Sequence, residues 1–276
     1  MNTVSYNIRL EGDNTPEFQM DKEGIVMLEA LGNCATLKEF EELLDRLEKP
    51  SGLETNFGVI DAQGGAAYYE VNNYKWIKYD VNDAPEGYLI RTNYSFSGRP
   101  NKGQGYVRYN NASELIKYRL EEGEKIDVRF IMDGLSRSFY QSQFGLNPLE
   151  EGKHFFIDRD FIPRKSSVAV TIIKGVNPGQ DPYECVFWCA LGYPPTSVVV
   201  PMRVSDGYNI PSQMKGSGAD GHAEACNKSL QLKKEVFSLN FGDGKRYVDF
   251  DKLRPILQKI REEEDIIFEN EASQIR

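Results

Sequence analysis

Histidine is nearly missing from this chain: His154 and His222 are the only two in 276 residues. Any Ser-His-Asp or Cys-His arrangement would have to use one of them. The contexts HFFIDRD and GSGADGH make His154 a strand-end residue and His222 a helix-start residue, positions that read first as structural. Also missing are a Gly-x-Ser-x-Gly elbow, a Walker loop and a His-Glu-x-x-His motif. Gly103-Gln104-Gly105 lacks a third glycine and a strand-to-helix setting, so it reads as a turn and not as a dinucleotide loop. Positive charge is short as well: 33 Lys plus Arg face 42 Asp plus Glu, a net charge of −9, with no run of cations. That argues against a nucleic-acid or anionic-membrane surface as partner. The longest strictly apolar run, CVFWCAL at 185–191, is far below the roughly 20 residues that a spanning helix needs.

Four cysteines are too few for a disulfide scaffold. Cys185 and Cys189 lie four residues apart in a segment of strand composition, roughly 13 Å along an extended chain, and so cannot share one ion. His222 and Cys226 have helical spacing but no second ligand pair, so no metal and no cofactor is implied. MNTVSYNIRLEGDN has neither the charged start nor the apolar stretch of a secretory signal. Localisation is left open.

The periodicity predicts a strand over 1–10, with Met1 already inside the pattern, and helices near 21–31 and 37–48. The second helix opens on Thr36 with Glu39 three residues on, a capping box. An antiparallel meander follows: NFGVIDA, AAYYEVN, YKWIKYDV and YLIRTN, with turns at 63–65, at 72–73 and in NDAPEG. Helices are expected at 111–122 and 126–141, then strands in FFIDRDFIP, SSVAVTIIKGV, ECVFWCALG and TSVVVPMRV. Helices near 221–237 and from about 251 close the chain, with a charged tail from about 266. There is no internal repeat and no low-complexity linker, so residues 1–276 are expected to form a single domain. Hairpin-connected strands between helical blocks exclude a doubly wound parallel fold. They predict an α+β protein, a four-layer αββα sandwich if the two antiparallel sheets face each other.

The polar residues worth singling out sit at the ends of apolar elements. RTNYSFSGRP places Arg91, Thr92 and Asn93 where a strand runs out into a loop. An Asn there either makes an Asx turn or offers its side-chain NH2 to a developing oxyanion. Ser136-Arg137 falls within an otherwise apolar helix, where an arginine either snorkels to solvent or anchors a site. Cys34 sits just before a helix start, a place where a thiol can be activated, although it precedes the cap residue.

Taken together, LGNCATLKEFEELL, TNFGVIDAQGGAAYYEV, GYLIRTNYSFSG, YVRYNNASELI, GLSRSFY and LGYPPTSVVVPMRV, from about Leu31 to Met202, resemble a known family. It is the acyl-CoA:isopenicillin N acyltransferase branch of the N-terminal nucleophile hydrolases, the linear-amide relatives of choloylglycine hydrolase. The MNTVSYNI start resembles an internal strand of that family. The resemblance implies an αββα fold and an amidohydrolase or acyltransferase that uses no cofactor. A Cys freed at the N-terminus would attack an amide or thioester carbonyl of a small molecule, with its own α-amino group as base. By resemblance Asn93 matches the oxyanion-holding Asn, Thr92 and Tyr94 flank it on the substrate side, and Ser136 and Arg137 match a pair that organises the nucleophile end.

The chain departs from that pattern at its start, because Met1-Asn2 offers neither thiol nor hydroxyl. The expectation is therefore an amidohydrolase or acyltransferase cut short at its N-terminus, inactive as written and possessing an exposed sheet edge open to pairing or homo-oligomerisation. Two alternatives stand beside it: a non-catalytic αββα binding or assembly module, and a hydrolase that uses Cys34.

Overall fold

The computed structural model describes residues 2–216 and 221–274; Met1 lies outside them. The chain is α+β, and its strands pair antiparallel throughout. It divides into two compact units, Met1–Asn110 with Gly175–Pro182, and Asn111–Lys174 with Tyr183–Arg276.

The first unit is built on a four-stranded sheet in the order β1 (Asn2–Val4), β2 (Thr55–Ile60), β3 (Ala66–Val71) and β4 (Trp76–Asp80). Two hairpins join β2 to β3 and β3 to β4, while β1 pairs with β2 from Asn2 opposite Phe57 to Val4 opposite Thr55. Helices α1 (Glu23–Asn33) and α2 (Leu37–Arg46) cover this sheet. The expected capping box fixes the start of α2: the Glu39 backbone N–H donates to Thr36 Oγ1 at 3.2 Å, and Thr36 N–H returns to the Glu39 carboxylate at 3.0 Å. The helix then buries Leu37, Phe40, Leu43 and Leu44 against Phe57, Ala67, Tyr69 and Val71 of the sheet. At about 25 cal/mol per Å2 of apolar area, this seam is the main stabiliser of the unit.

The expected strand over 1–10 ends at Val4, because the next residues turn back and spend their polar groups on loops. Asp13 anchors that return. Its carboxylate accepts Thr15 N–H and Oγ1 at 3.0 and 2.6 Å and Asn73 Nδ2 at 2.6 Å. Burial pushes this carboxyl up, but the donors on Thr15 and Asn73, with Arg9 nearby, outweigh it and hold it below the usual 3.8. A depressed carboxyl contributes stability that is present above the unfolded value and lost as pH falls through the folded one. Asp13→Asn is therefore expected to lower stability by about 1–3 kcal/mol near neutrality. Denaturant titrations at stepped pH should show the gap to the parent protein closing as pH falls below 3.8. A gap that stays constant with pH contradicts the assignment.

The second unit holds a three-stranded sheet, β6 (Ala169–Lys174), β7 (Val186–Leu191) and β8 (Val200–Arg203), and a separate pair, β5 (Phe155–Ile157) with β9 (Tyr247–Asp249). The sequence pattern did not single out β9. Its helices are α4 (Glu224–Val236) and α5 (Phe250–Gln274), together with most of α3 (Tyr106–Glu121). One core gathers Phe139, Phe161, Tyr193, Val236, Val248, Phe250, Leu253 and Leu257. Another gathers Met132, Ile172, Val186, Trp188, Ala190 and Val199, with Trp188 stacked on Phe268 at 5.0 Å.

Two expected elements take another form. YLIRTN at 88–93 alternates like a strand but joins no sheet, because side chains of β2 and β3 take up the polar backbone groups there and just beyond. The expected helix at 126–141 shrinks to one turn and a π-helical stretch, Phe130–Leu135. Ser136 N–H closes it by reaching Ile131 O, five residues back, at 3.0 Å. Ser136 and Arg137 thus stand in the turn after that stretch and not inside a long helix.

Candidate functional site

In the first unit, Thr92, Asn93 and Tyr94 come together on one loop, residues 91–99, which is pinned by buried polar side chains of β2, β3 and the segment after β1. Asn56, fully buried on β2, donates Nδ2 to Thr92 O and Tyr94 O at 3.0 and 3.2 Å, and its Oδ1 accepts Ser95 Oγ at 2.5 Å. Asn7 Oδ1 accepts Ser95 N–H at 2.8 Å, and Asn7 Nδ2 donates to Ser95 O at 2.7 Å. Glu70, 1% exposed on β3, accepts Arg91 Nε at 2.8 Å and Phe96 N–H at 2.9 Å on one oxygen. Its other oxygen accepts Ser97 N–H and Oγ at 2.7 and 2.6 Å. The Arg91 guanidinium lies against the Tyr79 and Phe96 rings, 4.4 and 4.7 Å from their centroids. A loop held at this many points presents its side chains without further ordering.

On this rigid loop the Asn93 carboxamide is clamped at both ends. Its Oδ1 accepts Arg108 Nη2 at 2.7 Å from the first turn of α3, and its Nδ2 donates to Val4 O at 2.8 Å. That arrangement fixes which end of the amide is the donor. An amide nitrogen carries two hydrogens, and the second finds no acceptor among the described residues. Gly105 makes the close approach possible: its φ is +95°, and a Cβ there would stand 2.8 Å from Thr92 Oγ1 and 3.0 Å from Asn93 N. Thr92 Oγ1 donates to Gly105 O at 3.0 Å, and Tyr94 packs edge-on to Phe96.

Ser136 and Arg137 come together in the second unit. Ser136 Oγ donates to Ile131 O at 2.8 Å. Arg137, 2% exposed, forks onto Glu264 of α5 at 2.7 and 2.6 Å and also donates to Pro194 O at 3.0 Å and Ser197 O at 2.8 Å. Glu264 accepts Val199 N–H as well, at 2.7 Å. This bidentate pair ties the 194–199 segment to α5. A nearby groove of about 930 Å3 is lined by Val198, Val200, Leu232, Pro255, Ile256 and Ile260, among others, and among the described residues by no Cys or His.

Cys34, Cys185 and Cys189 are shifted toward the thiol form. Cys34 caps the C-terminus of α1, where a helix dipole does not favour a thiolate. Burial pushes it above the usual thiol value, and Glu39 adds to the shift. Burial also raises Cys185 and Cys189. Iodoacetamide at pH 7 is expected to label Cys34 more slowly than a free thiol in the unfolded chain; a faster rate would restore Cys34 as a nucleophile. The histidines make local contacts: His154 Nδ1 lies 2.8 Å from Asp251 Oδ2, and His222 Nδ1 lies 3.3 Å from Asn227 Oδ1.

Sequence reasoning did not single out Glu70, Arg108 or Glu264. A glutamate at an inward position of AAYYEV was a usable signal for the first, whereas Arg108 and Glu264 carried none. Among the described residues no group of three or more His, Cys, Asp or Glu can hold a metal ion, and no helix is long and apolar enough to cross a membrane. No model of a known protein family matches the chain, and neither a curated protein nor a solved structure does.

Proposed function

We propose that the chain belongs to an amidohydrolase or acyltransferase that acts on the amide carbon-nitrogen bond, or the acyl thioester, of a small molecule through an acyl-enzyme. In this reading the chain has the αββα fold class of the N-terminal nucleophile hydrolases that it resembles. The single observation that supports the assignment is the Asn93 carboxamide. Its orientation is fixed, Arg108 draws charge from its oxygen and so sharpens its N–H groups as donors, and one N–H has no acceptor among the described residues. A preorganised donor of this kind stabilises an oxyanion at no reorganisation cost. Thr92 and Tyr94 flank the carbonyl, while Ser136 and Arg137 organise the nucleophile end.

The attacking atom is assigned to a Cys encoded ahead of Met1, with its freed α-amino group as base. Its sulfur bonds to the carbonyl carbon, the amine leaves with a proton, and water or a second amine then takes the acyl group. No metal or cofactor enters, and the assembly in solution is proposed as a homo-oligomer. The test is to express the longest in-frame product and assay release of free amine from a panel of acyl amides. Turnover that depends on an upstream Cys supports the reading; absence of any in-frame upstream Cys sinks it.

A second reading, a non-catalytic αββα binding or assembly module, draws on a different observation: the cysteines with displaced values, Cys34, Cys185 and Cys189, are all pushed up, away from reactivity. It expects the 276-residue chain to melt cooperatively and to show no acyl transfer in any length of product.

A further inference from the structure

Independently of the acyl-transfer reading, we propose that a concavity of the second unit, beside the C-terminal half of α4, is a binding site for the phosphoryl group of a small metabolite. The concavity measures about 670 Å3 and is lined by Lys165, His222, Asn227, Gln231, Lys233, Lys234 and Phe237, with Leu230. Three lysines thus meet in one hollow of a chain whose net charge is −9. Among the described residues none of the three has a carboxylate within ion-pair distance.

Two of these ammonium groups are held in place by uncharged partners. Lys233 Nζ donates to Ser167 O at 3.1 Å and lies 5.5 Å from the Tyr193 ring centroid; Lys165 Nζ lies 5.5 Å from that of Phe237. Burial lowers the Lys233 value, and repulsion from Lys165 lowers it further. Two like charges sharing a partly dry hollow are a configuration that a bound anion relieves. Among the described residues, Asp158 is the carboxylate that acts on Lys233. Its ion pair is with Arg246, at 3.6 Å, it accepts Lys165 N–H at 3.3 Å, and burial raises its carboxyl.

The rival explanation is that Lys233 and Lys234 merely complement the helix dipole in the last turn of α4. That effect is small at an exposed site and leaves Lys165, on another segment, unexplained. Convergence from two segments favours a multivalent oxyanion over a carboxylate, since lysine recognises phosphate as a point charge and several are needed to balance it. Asn227 and Gln231, one helical turn apart, face the same hollow, and the Phe237 ring offers a wall for the organic part of the ligand.

The test titrates inorganic pyrophosphate into the full chain by calorimetry, with acetate as the monoanion control. Saturable 1:1 binding is expected that weakens at higher salt. Lys165→Ala and Lys233→Met should each weaken it about tenfold or more, while Lys233→Arg keeps it within a few-fold and Lys259→Ala, outside this hollow, leaves it unchanged. Circular dichroism of each variant separates lost binding from lost folding, and the Arg variant keeps the proposal testable if the Met variant unfolds. Absence of binding at millimolar pyrophosphate, or equal affinity in Lys165→Ala, overturns the proposal. So does tighter binding of a single-stranded oligonucleotide than of pyrophosphate, which would make the hollow part of a polyanion surface.

Discussion

Arg137→Ala is expected to cost about 3–5 kcal/mol of stability, enough to unfold the second unit near body temperature. The arginine is 2% exposed, and the substitution leaves Glu264 buried with Val199 N–H as its remaining donor, at 2.7 Å. It also removes the guanidinium donors from the Ser197 carbonyl and from the Pro194 carbonyl, which keeps the Ser197 N–H at 3.3 Å. Most of that cost is the penalty of an uncompensated buried charge and not the net worth of the pair. The double variant Arg137→Met with Glu264→Leu, which removes both charges and refills the space, is therefore expected to recover most of it. Denaturant titration of the two single variants and the double gives a coupling energy directly. A loss below about 1 kcal/mol for Arg137→Ala would place this pair with exposed ion pairs and contradict the anchoring role.

Asn93→Ala carries the second large effect, on rate and not on fold. In the active product it is expected to lower turnover by about 10²–10³, roughly 2.7–4 kcal/mol of transition-state stabilisation. An oxyanion donor acts on a charge that exists only in the transition state, so kcat should fall while KM moves little. Stability should change far less than in the Arg137 variant, because the carboxamide is half-exposed. Arg108→Met, which frees the oxygen end of the amide while leaving the nitrogen, is expected to fall between the parent and Asn93→Ala. Equal rates in the parent and Asn93→Ala would remove Asn93 from the mechanism.

What the sequence made legible was local. The Thr36 capping box and the turns at 63–65 and 72–73 depend on residues a few positions apart, and each stands where spacing predicts it. What it hid was settled by partners distant in the chain. Alternation in YLIRTN is genuine, yet Asn56 and Glu70 claim polar groups along 91–97, and a strand there would have had to compete with buried side-chain bonds. Helical periodicity over 126–141 gave way where Arg137 turned inward to meet Glu264, 127 residues on. No spacing rule reaches that far. Lys165 likewise looks solvated in sequence, and only the fold brings it beside Lys233.

The central claim is that Asn93 serves an acyl-enzyme, and intact-mass spectrometry tests it most directly. The longest in-frame product and its Asn93→Ala variant are mixed with an activated aryl ester of a simple acyl chain and quenched over a time course. The proposed mechanism expects a single acyl adduct on an N-terminal Cys, forming about 10²–10³ times more slowly in the variant. No adduct in the parent, or one that forms equally fast in both, would contradict it.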